Sequence, residues 1–413
     1  MNDNDVIRRM VRVTIFPAVV ITSPAMTTVT ISQRGAKRIR QGHLWVYRSD
    51  VREAPQSEGG AIVRVVDQAR NFVGQAFYSD KSEIALRFLT TTDETIDHAW
   101  WRRRLLESIS RRHASFLNED NNAGRLVYSE GDLLPSIIID VYAGHFVLQT
   151  LSQGAERVQA SLVEMIIENF PLPRSVSERN DARVRELEGL ELRTGVLYGS
   201  ALEEVEIRQN GLRFLVSPLA GQKTGSFLDQ RENYLAARQW AFGEALDCFT
   251  FRGGFALNLA EPCQEVLGLD ISPEAVAAAE QNAHLNEVRN VRFKTANVFD
   301  ALREMESSGR RFDTIVLDPP AFTKSRGTVE SGARGYKEIN LRALKLLNPA
   351  GVLITCTCSY HVSEEMFLDI IAAAALDARR RLHTVEKRGQ SSDHPVLLGV
   401  PETHYLKCVI ARV

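Results

Sequence analysis

Two short stretches of this 413-residue chain hold side chains that could do chemistry together. Asp318-Pro319-Pro320-Ala321-Phe322 carries a carboxylate ahead of two prolines, and Thr355-Cys356-Thr357-Cys358-Ser359 carries two thiols, with Thr355 37 residues after Asp318. The prolines lack backbone donors and hold an extended turn, so the carbonyls and the Asp318 carboxylate project from it. A thiolate is a strong nucleophile toward an electron-poor ring carbon, and a carboxylate can hydrogen-bond to or protonate the ring edge as it adds. Carbon 5 of cytosine needs such help: a thiolate added at carbon 6 turns carbon 5 into an enamine carbon able to attack an electrophilic methyl group. An exocyclic nitrogen needs no thiol. Cys356 still lies within an apolar strand pattern and reads as a core residue. Cys358 stands just past it and is the candidate nucleophile, with Asp318 as the catalytic carboxylate. Pro319, Pro320 and Phe322 are candidate substrate contacts, the Phe322 ring stacking on an extruded base. The plainer alternative is a structural turn. The base that removes the carbon 5 proton is not apparent in either stretch.

These residues need a frame that brings two strand ends together. From about residue 217 strands alternate with helices, which argues an α/β fold built on a parallel sheet covered on both faces. Candidate strands are 244–249, 265–270, 291–296, 312–318 and 351–356, with 405–413 closing the chain. Ser272-Pro273-Glu274 supplies an N-cap, a proline at the first helical position and an early carboxylate for a helix to Asn286, and Tyr336 to Leu347 is a second helix. The first strand ends in Asp247-Cys248-Phe249-Thr250-Phe251-Arg252-Gly253-Gly254, where glycines let backbone approach a ligand. Asp270 follows Asp247 by 23 residues, a spacing that suits a carboxylate accepting hydrogen bonds from ribose hydroxyls. No G-x-G-x-x-G run accompanies it, so the expected ligand carries adenosine without a pyrophosphate, namely S-adenosylmethionine. Phe249, Gly253, Gly254, Asp270, Asn297 and Asp318 are its candidate contacts. A Gly-Gly turn with a strand-end Asp also occurs in many other α/β folds, and an Asn in a loop is as often a turn residue.

Upstream, residues 28–97 read as a small, mostly β domain, with strands at 63–67, 72–77 and 84–89. Arg34, Lys37, Arg38 and Arg40 precede Trp45 and Tyr47, a mixture suited to phosphate contact and base stacking, unless the aromatics are core and the charges a solvated face. Residues 98–216 combine a helix from Trp100 to Phe116, strands at 136–142 and 145–149, a helix from Gly154 to Phe170, and an Asn210-Gly211 hairpin of type I′. This is read as a connecting α+β domain. Residues 1–27 are read as a flexible extension, because Pro17 and Pro24 interrupt the apolar stretch that imitates a signal peptide.

Composition excludes several classes. There is no charge-free apolar run of membrane-spanning length. Five cysteines make no even disulfide framework and point to a reducing, cytoplasmic location. The single C-x-C lacks a second pair at zinc spacing, so no metal is expected. A formal net charge of −2 leaves any RNA affinity to local patches, although residues 1–95 carry 13 basic against 10 acidic side chains.

The motifs together resemble a known family, the bacterial 23S ribosomal RNA 5-methylcytosine methyltransferases of the large-subunit methyltransferase I type. The resemblance covers roughly residues 28–413. It is carried by 223–231 (KTGSFLDQR), 248–255 (CFTFRGGF), 318–322 (DPPAF), 334–340 (RGYKEIN), Cys358-Ser359 and 393–396 (DHPV). It implies an N-terminal PUA β-barrel that binds RNA, a central α+β domain, and a C-terminal class I, Rossmann-like methyltransferase sheet at 217–413. S-adenosylmethionine would be the cofactor, 23S rRNA the partner, Cys358 the nucleophile and Asp270 the ribose ligand; a homodimer is compatible with this reading. Two departures stand out, since relatives often have Asp where Asn297 stands and Lys where Ala321 stands. The alternatives are an N-methyltransferase acting on guanine or adenine, for which Cys358 would have no use, and an RNA-binding assembly protein with an inactive methyltransferase domain.

Overall fold

The computed structural model describes residues 26–54, 57–112, 117–170, 172–221, 224–323 and 326–413. Most of the extension expected over 1–27, the end of the helix expected to reach Phe116, and Lys223 lie outside them. The chain divides into two compact units, Met1–Ile207 with Val216–Ser226 and Ser392–Thr403, and Arg208–Leu215 with Phe227–Ser391 and His404–Val413. Residues 28–97 and most of 98–216 fall in the first unit, joined by the sequence-distant Ser392–Thr403, while 208–215 fall in the second.

In the first unit, β1 (Thr28–Ile31), β2 (Trp45–Tyr47), β3 (Val51–Glu53), β4 (Ile62–Asp67), β5 (Phe72–Tyr78) and β6 (Ile84–Thr90) form a sheet of order β2-β6-β5-β4-β1-β3. Alternate residues such as Val29, Ile31, Val63, Val65, Leu86 and Phe88 supply its core. Helix α1 (Gln33–Arg40), which the sequence reading did not include, is capped by Ser32 accepting from Gly35 N, and buries Ala36 and Ile39 on one face. A second sheet, order β11-β10-β9-β8-β7, contains β7 (Ala123–Tyr128), β8 (Ile137–Tyr142), β9 (His145–Thr150), β10 (Ser175–Asn180) and β11 (Arg193–Gly199). It packs with α2 (His98–Ser110), α3 (Gln153–Arg157) and α4 (Gln159–Asn169) around Trp100, Leu105, Leu148 and Ile166. The helix expected across 154–170 is therefore two helices, interrupted at Val158. Trp45 Nε1 donates to Glu130 at 2.9 Å and Arg112 pairs with Asp132 at 2.6 Å, while Asp393 accepts from Arg125 N at 3.0 Å. Contacts of this kind tie sequence-distant pieces into one unit.

Strands β12 (Val205–Gln209) and β13 (Leu212–Val216) form the expected hairpin, with Asn210 and Gly211 at φ 56° and 79° as a type I′ turn requires.

The second unit is built on β14 (Gly243–Cys248), β15 (Cys263–Asp270), β16 (Val291–Thr295), β17 (Phe312–Leu317), β18 (Leu347–Thr357), β19 (His383–Arg388) and β20 (Lys407–Arg412). The order is β16-β15-β14-β17-β18-β20-β19, with β14 to β18 parallel and β20 antiparallel to both its neighbours. Helices α5 (Arg231–Trp240), α6 (Gly254–Leu259), α7 (Pro273–Leu285), α8 (Val298–Ser307), α9 (Val329–Leu346) and α10 (Glu364–Asp377) connect and cover the strands. The near-continuous apolar strands β14, β17 and β18 pack with Tyr336, Ile339, Phe367 and Ile370 in its core, as a sheet buried on both faces demands. The strand order runs outward from β14 through β15 to β16 and resumes on the other side of β14 at β17, so the carboxyl ends of β14 and β17 flank the topological switch point, where ligands of such sheets bind. No helix among the described residues is long and apolar enough to cross a membrane.

Candidate active site

The predicted chemistry collects at the carboxyl edge of the second unit's sheet. Leu317 is in register with Cys248 on one side and Thr355 on the other. Asp318 follows directly, its backbone N donating to Cys248 O at 3.3 Å. Pro319 is buried and Pro320 exposed, so the first proline stiffens the turn while the second faces solvent. Cys356 lies within β18, opposite Cys408 and wholly buried, whereas Cys358 stands one residue past the strand and is partly exposed. Burial pushes the Cys356 thiol well above its ordinary value, with Cys408 and Asp318 adding to the shift. It is held as a neutral packed group.

Tyr336 ties the two motifs together. From α9 its hydroxyl meets Ser359 Oγ at 2.8 Å and accepts from Phe322 N at 3.4 Å, and Thr323 N donates to the same Ser359 Oγ at 3.3 Å. Burial raises the tyrosine's pKa, so it remains a neutral phenol in this network. The helix can come so close because it is small at the contact: a Cβ on Gly332 would stand 2.2 Å from the Thr323 methyl, and one on Gly335 3.1 Å from the Phe322 ring. Phe322 itself is half-buried among Tyr336, Phe299 and Phe249, at centroid distances of 4.6, 5.9 and 6.4 Å. Much of the ring proposed for stacking thus anchors its own turn. In the sequence Tyr336 stands only as the start of a helix and within the 334–340 motif, and nothing local marks its hydroxyl as the link between the two turns.

The nucleoside end lies across β14 and β15. Asp270 ends β15 half-buried, its two carboxylate oxygens accepting from Phe251 N at 2.9 Å and Ser272 N at 3.0 Å. The loop after β14 holds Phe249, Phe251 and Gly253 at φ 65°, 49° and 85°. Two bulky residues in the left-handed region are a strained arrangement of the kind found at binding sites. Gly253 caps α6, and a Cβ there would meet the Phe293 ring at 3.1 Å, while one on Gly254 would meet the Tyr234 hydroxyl at 2.5 Å. Internal packing alone therefore requires both glycines. Asp247, not assigned from sequence, is wholly buried. One oxygen accepts from Thr250 Oγ1 at 2.6 Å and Ala256 N at 2.9 Å, and the other has no hydrogen-bond partner among the described residues. Burial, reinforced by Asp318 and Asp270, pushes its carboxyl up to about 7. Asn297 is exposed and caps α8 by accepting from Phe299 N at 2.9 Å. A half-buried carboxylate, an unsatisfied buried oxygen and a glycine-turned strained loop at one sheet edge fit the hydroxyl and amino donors of S-adenosylmethionine.

The four basic residues of the first unit lie on or at the end of α1. Arg34 pairs with Asp50 at 2.9 Å, Arg38 reaches the same carboxylate at 3.9 Å and lies over the Tyr47 ring at 4.9 Å, and Arg40 pairs with Asp67 at 2.7 Å. Trp45 and Tyr47 are half-buried, and Lys37 is exposed. The patch is basic but partly neutralised by its own domain.

Comparison with known proteins follows this division. A PUA-like domain matches residues 29–91, and an S-adenosylmethionine-dependent methyltransferase domain matches 191–410. Proteins named ribosomal RNA large subunit methyltransferase I are similar over nearly the whole chain. That of Tolumonas auensis is 39% identical, covering 94% of this chain and 99% of the relative, and that of Erwinia tasmaniensis is 37% identical, covering 94% and 100%. Among solved structures, a SAM-dependent methyltransferase from Streptococcus mutans superposes with a TM-score of 0.79 at 19% identity, covering 94% of this chain and all of that one. A methyltransferase solved with SAH superposes with a TM-score of 0.80 at 18% identity. These neighbours establish the shared fold. The expectation of a homodimer finds no support in them.

Proposed function

The chain belongs to the ribosomal RNA large subunit methyltransferase I family, a family of S-adenosylmethionine-dependent enzymes, and on that premise we propose that it methylates carbon 5 of a cytosine in 23S ribosomal RNA. The observation that carries this reading is the contrast between the two thiols: Cys356 is sealed in the sheet, while Cys358 stands partly exposed at the edge that holds Asp318.

The Cys358 thiolate donates its electron pair to carbon 6, and the carbon 5–carbon 6 π electrons move onto the ring. Asp318 hydrogen-bonds to the pyrimidine edge that gains this charge. S-adenosylmethionine, when bound, would supply an electrophilic methyl group to carbon 5, the sulfonium carbon–sulfur bond breaking and its electron pair staying on sulfur as a neutral thioether. Loss of the carbon 5 proton to a base then restores the double bond and expels Cys358 as thiolate. Phe249, Gly253, Gly254, Asp270 and Asn297 would hold the cofactor, with Asp247 behind them and Asp318 shared with the substrate. Pro320 and the exposed part of Phe322 would form the wall against which the base lies. The PUA-like domain, with Arg34, Lys37, Arg38 and Arg40, would bind the RNA.

Mass spectrometry of ribosomal RNA incubated with each variant tests the assignment. Cys358→Ala should give no 5-methylcytosine while binding S-adenosylmethionine with unchanged affinity by calorimetry, and Cys356→Ala should remain active. Full activity of Cys358→Ala, or a product methylated on an exocyclic nitrogen, would overturn the reading. Failure of the wild-type protein to bind the cofactor would favour an RNA-binding role without catalysis.

A further inference from the structure

We propose that Lys407 is a positioning residue that holds Cys358 as its reactive thiolate, by keeping an ammonium group beside it at the end of the sheet. The proposal rests on the reading of Cys358 as nucleophile.

Lys407 opens β20 directly opposite Thr357, one residue from Cys358 in the chain. Only 4% exposed, it is the one buried lysine among the described residues. Its Nζ donates to Tyr405 O at 3.2 Å and Ser359 O at 3.5 Å. The second acceptor belongs to the residue after the nucleophile, and the same carbonyl takes Val362 N at 3.1 Å, which fixes the turn that presents Cys358. Among the described residues no carboxylate lies within ion-pair distance of Nζ. Two neutral carbonyls do not offset the burial of a full charge, so an anion nearby is the economical reason to keep a lysine here.

Among the described residues, Lys407 brings positive charge to Cys358, and the neighbouring Asp318, Tyr336, Cys356 and Glu364 bring none. Asp318 at the end of β17 brings no positive charge, and whenever it is ionised it opposes ionisation of a neighbouring thiol. Tyr336 from α9 is neutral, its pKa raised by burial. Cys356 on β18 is kept protonated by burial, next to Cys408 on β20. Glu364, in the first turn of α10, is engaged by Lys387 at 2.8 Å. Burial lowers the pKa of Lys407, and the negative charges of Cys358 and Glu364 counter that drop. When the thiol ionises, its proton passes to solvent and the ammonium keeps its own.

The test is the pH dependence of Cys358 alkylation by iodoacetamide, followed by peptide mass spectrometry so that the other four cysteines are read separately. In the wild-type protein the midpoint should lie below the ordinary thiol value of about 8.5. Lys407→Met should raise it by on the order of one pH unit, and Lys407→Arg, which keeps the cation, should restore it. Methylation by Lys407→Met should show the same upward displacement of its acid limb. A wild-type midpoint at or above the ordinary value overturns the proposal even if Lys407→Met does not fold. So does an unchanged midpoint in a Lys407→Met protein that still binds S-adenosylmethionine. Should Cys358→Ala retain methylation, the nucleophile reading fails by that result, while the alkylation midpoints still report whether Lys407 governs the thiol.

Discussion

Asp247 and Tyr336 show what single residues contribute at this edge. The Asp247 carboxyl titrates near 7 when folded against 3.8 when unhindered, so the native state holds a proton that the unfolded chain releases across that interval. Stability from this group is full below the lower value and is lost as pH rises through the upper one. The unliganded wild-type protein should therefore lose roughly 2–3 kcal/mol relative to Asp247→Asn between about pH 5 and 8, from about two pH units at about 1.4 kcal/mol each. Urea titrations of both proteins at the two pH values measure it; parallel pH dependences would refute the assignment. Tyr336→Phe leaves Ser359 Oγ and Phe322 N short of a buried partner. It should cost about 1–2 kcal/mol of stability and lower methylation as the two motifs lose their link. The placement of Asp318 and Cys358 just past neighbouring strand ends was legible in the sequence, because residue type beside a strand end is a local signal. Asp247 and Tyr336 were not, since what distinguishes them is an environment assembled from other segments.

At the level of elements, strands β14 to β18 and the helix from Pro273 could be read from periodicity and capping. These signals act within one element, through alternation of burial along a strand and an N-cap serine before a proline. Helix α1 was not read because it is short and mostly charged, with few buried residues to mark it, α5 was likewise not read, and no proline or glycine at Val158 signals the break there. The loop from Cys248 to Gly253 could be seen to contain glycine, but its strained aromatics could not. Gly253→Ala places a methyl at φ 85° and 3.1 Å from Phe293. It should destabilise the second unit by about 1–2 kcal/mol and weaken S-adenosylmethionine binding, since the backbone must leave the left-handed region. Calorimetry and thermal unfolding read the two effects; tight binding with unchanged stability would mean that the turn tolerates the side chain.

For the whole molecule, RNA affinity should come from a local patch on a chain of nearly balanced charge. Replacing Arg34, Lys37, Arg38 and Arg40 with Gln should weaken RNA binding and reduce the slope of log affinity against log salt. The reduction should stay below about 0.7–0.9 per residue, because Asp50 and Asp67 already neutralise part of the patch. Filter-binding titrations across salt concentrations decide it, and an unchanged slope would place the RNA surface elsewhere. By itself the sequence determined the parallel-sheet frame, the two reactive motifs and the family likeness, because these rest on residue type and short-range spacing. The tertiary structure alone decided that Ser392–Thr403 returns to the first unit, that the arginines of α1 are paired, and that the Lys407 ammonium reaches the Ser359 carbonyl, some fifty residues earlier. Charge pairing and burial depend on distances in space, and chain spacing does not encode which distant groups will share one dry, low-dielectric edge.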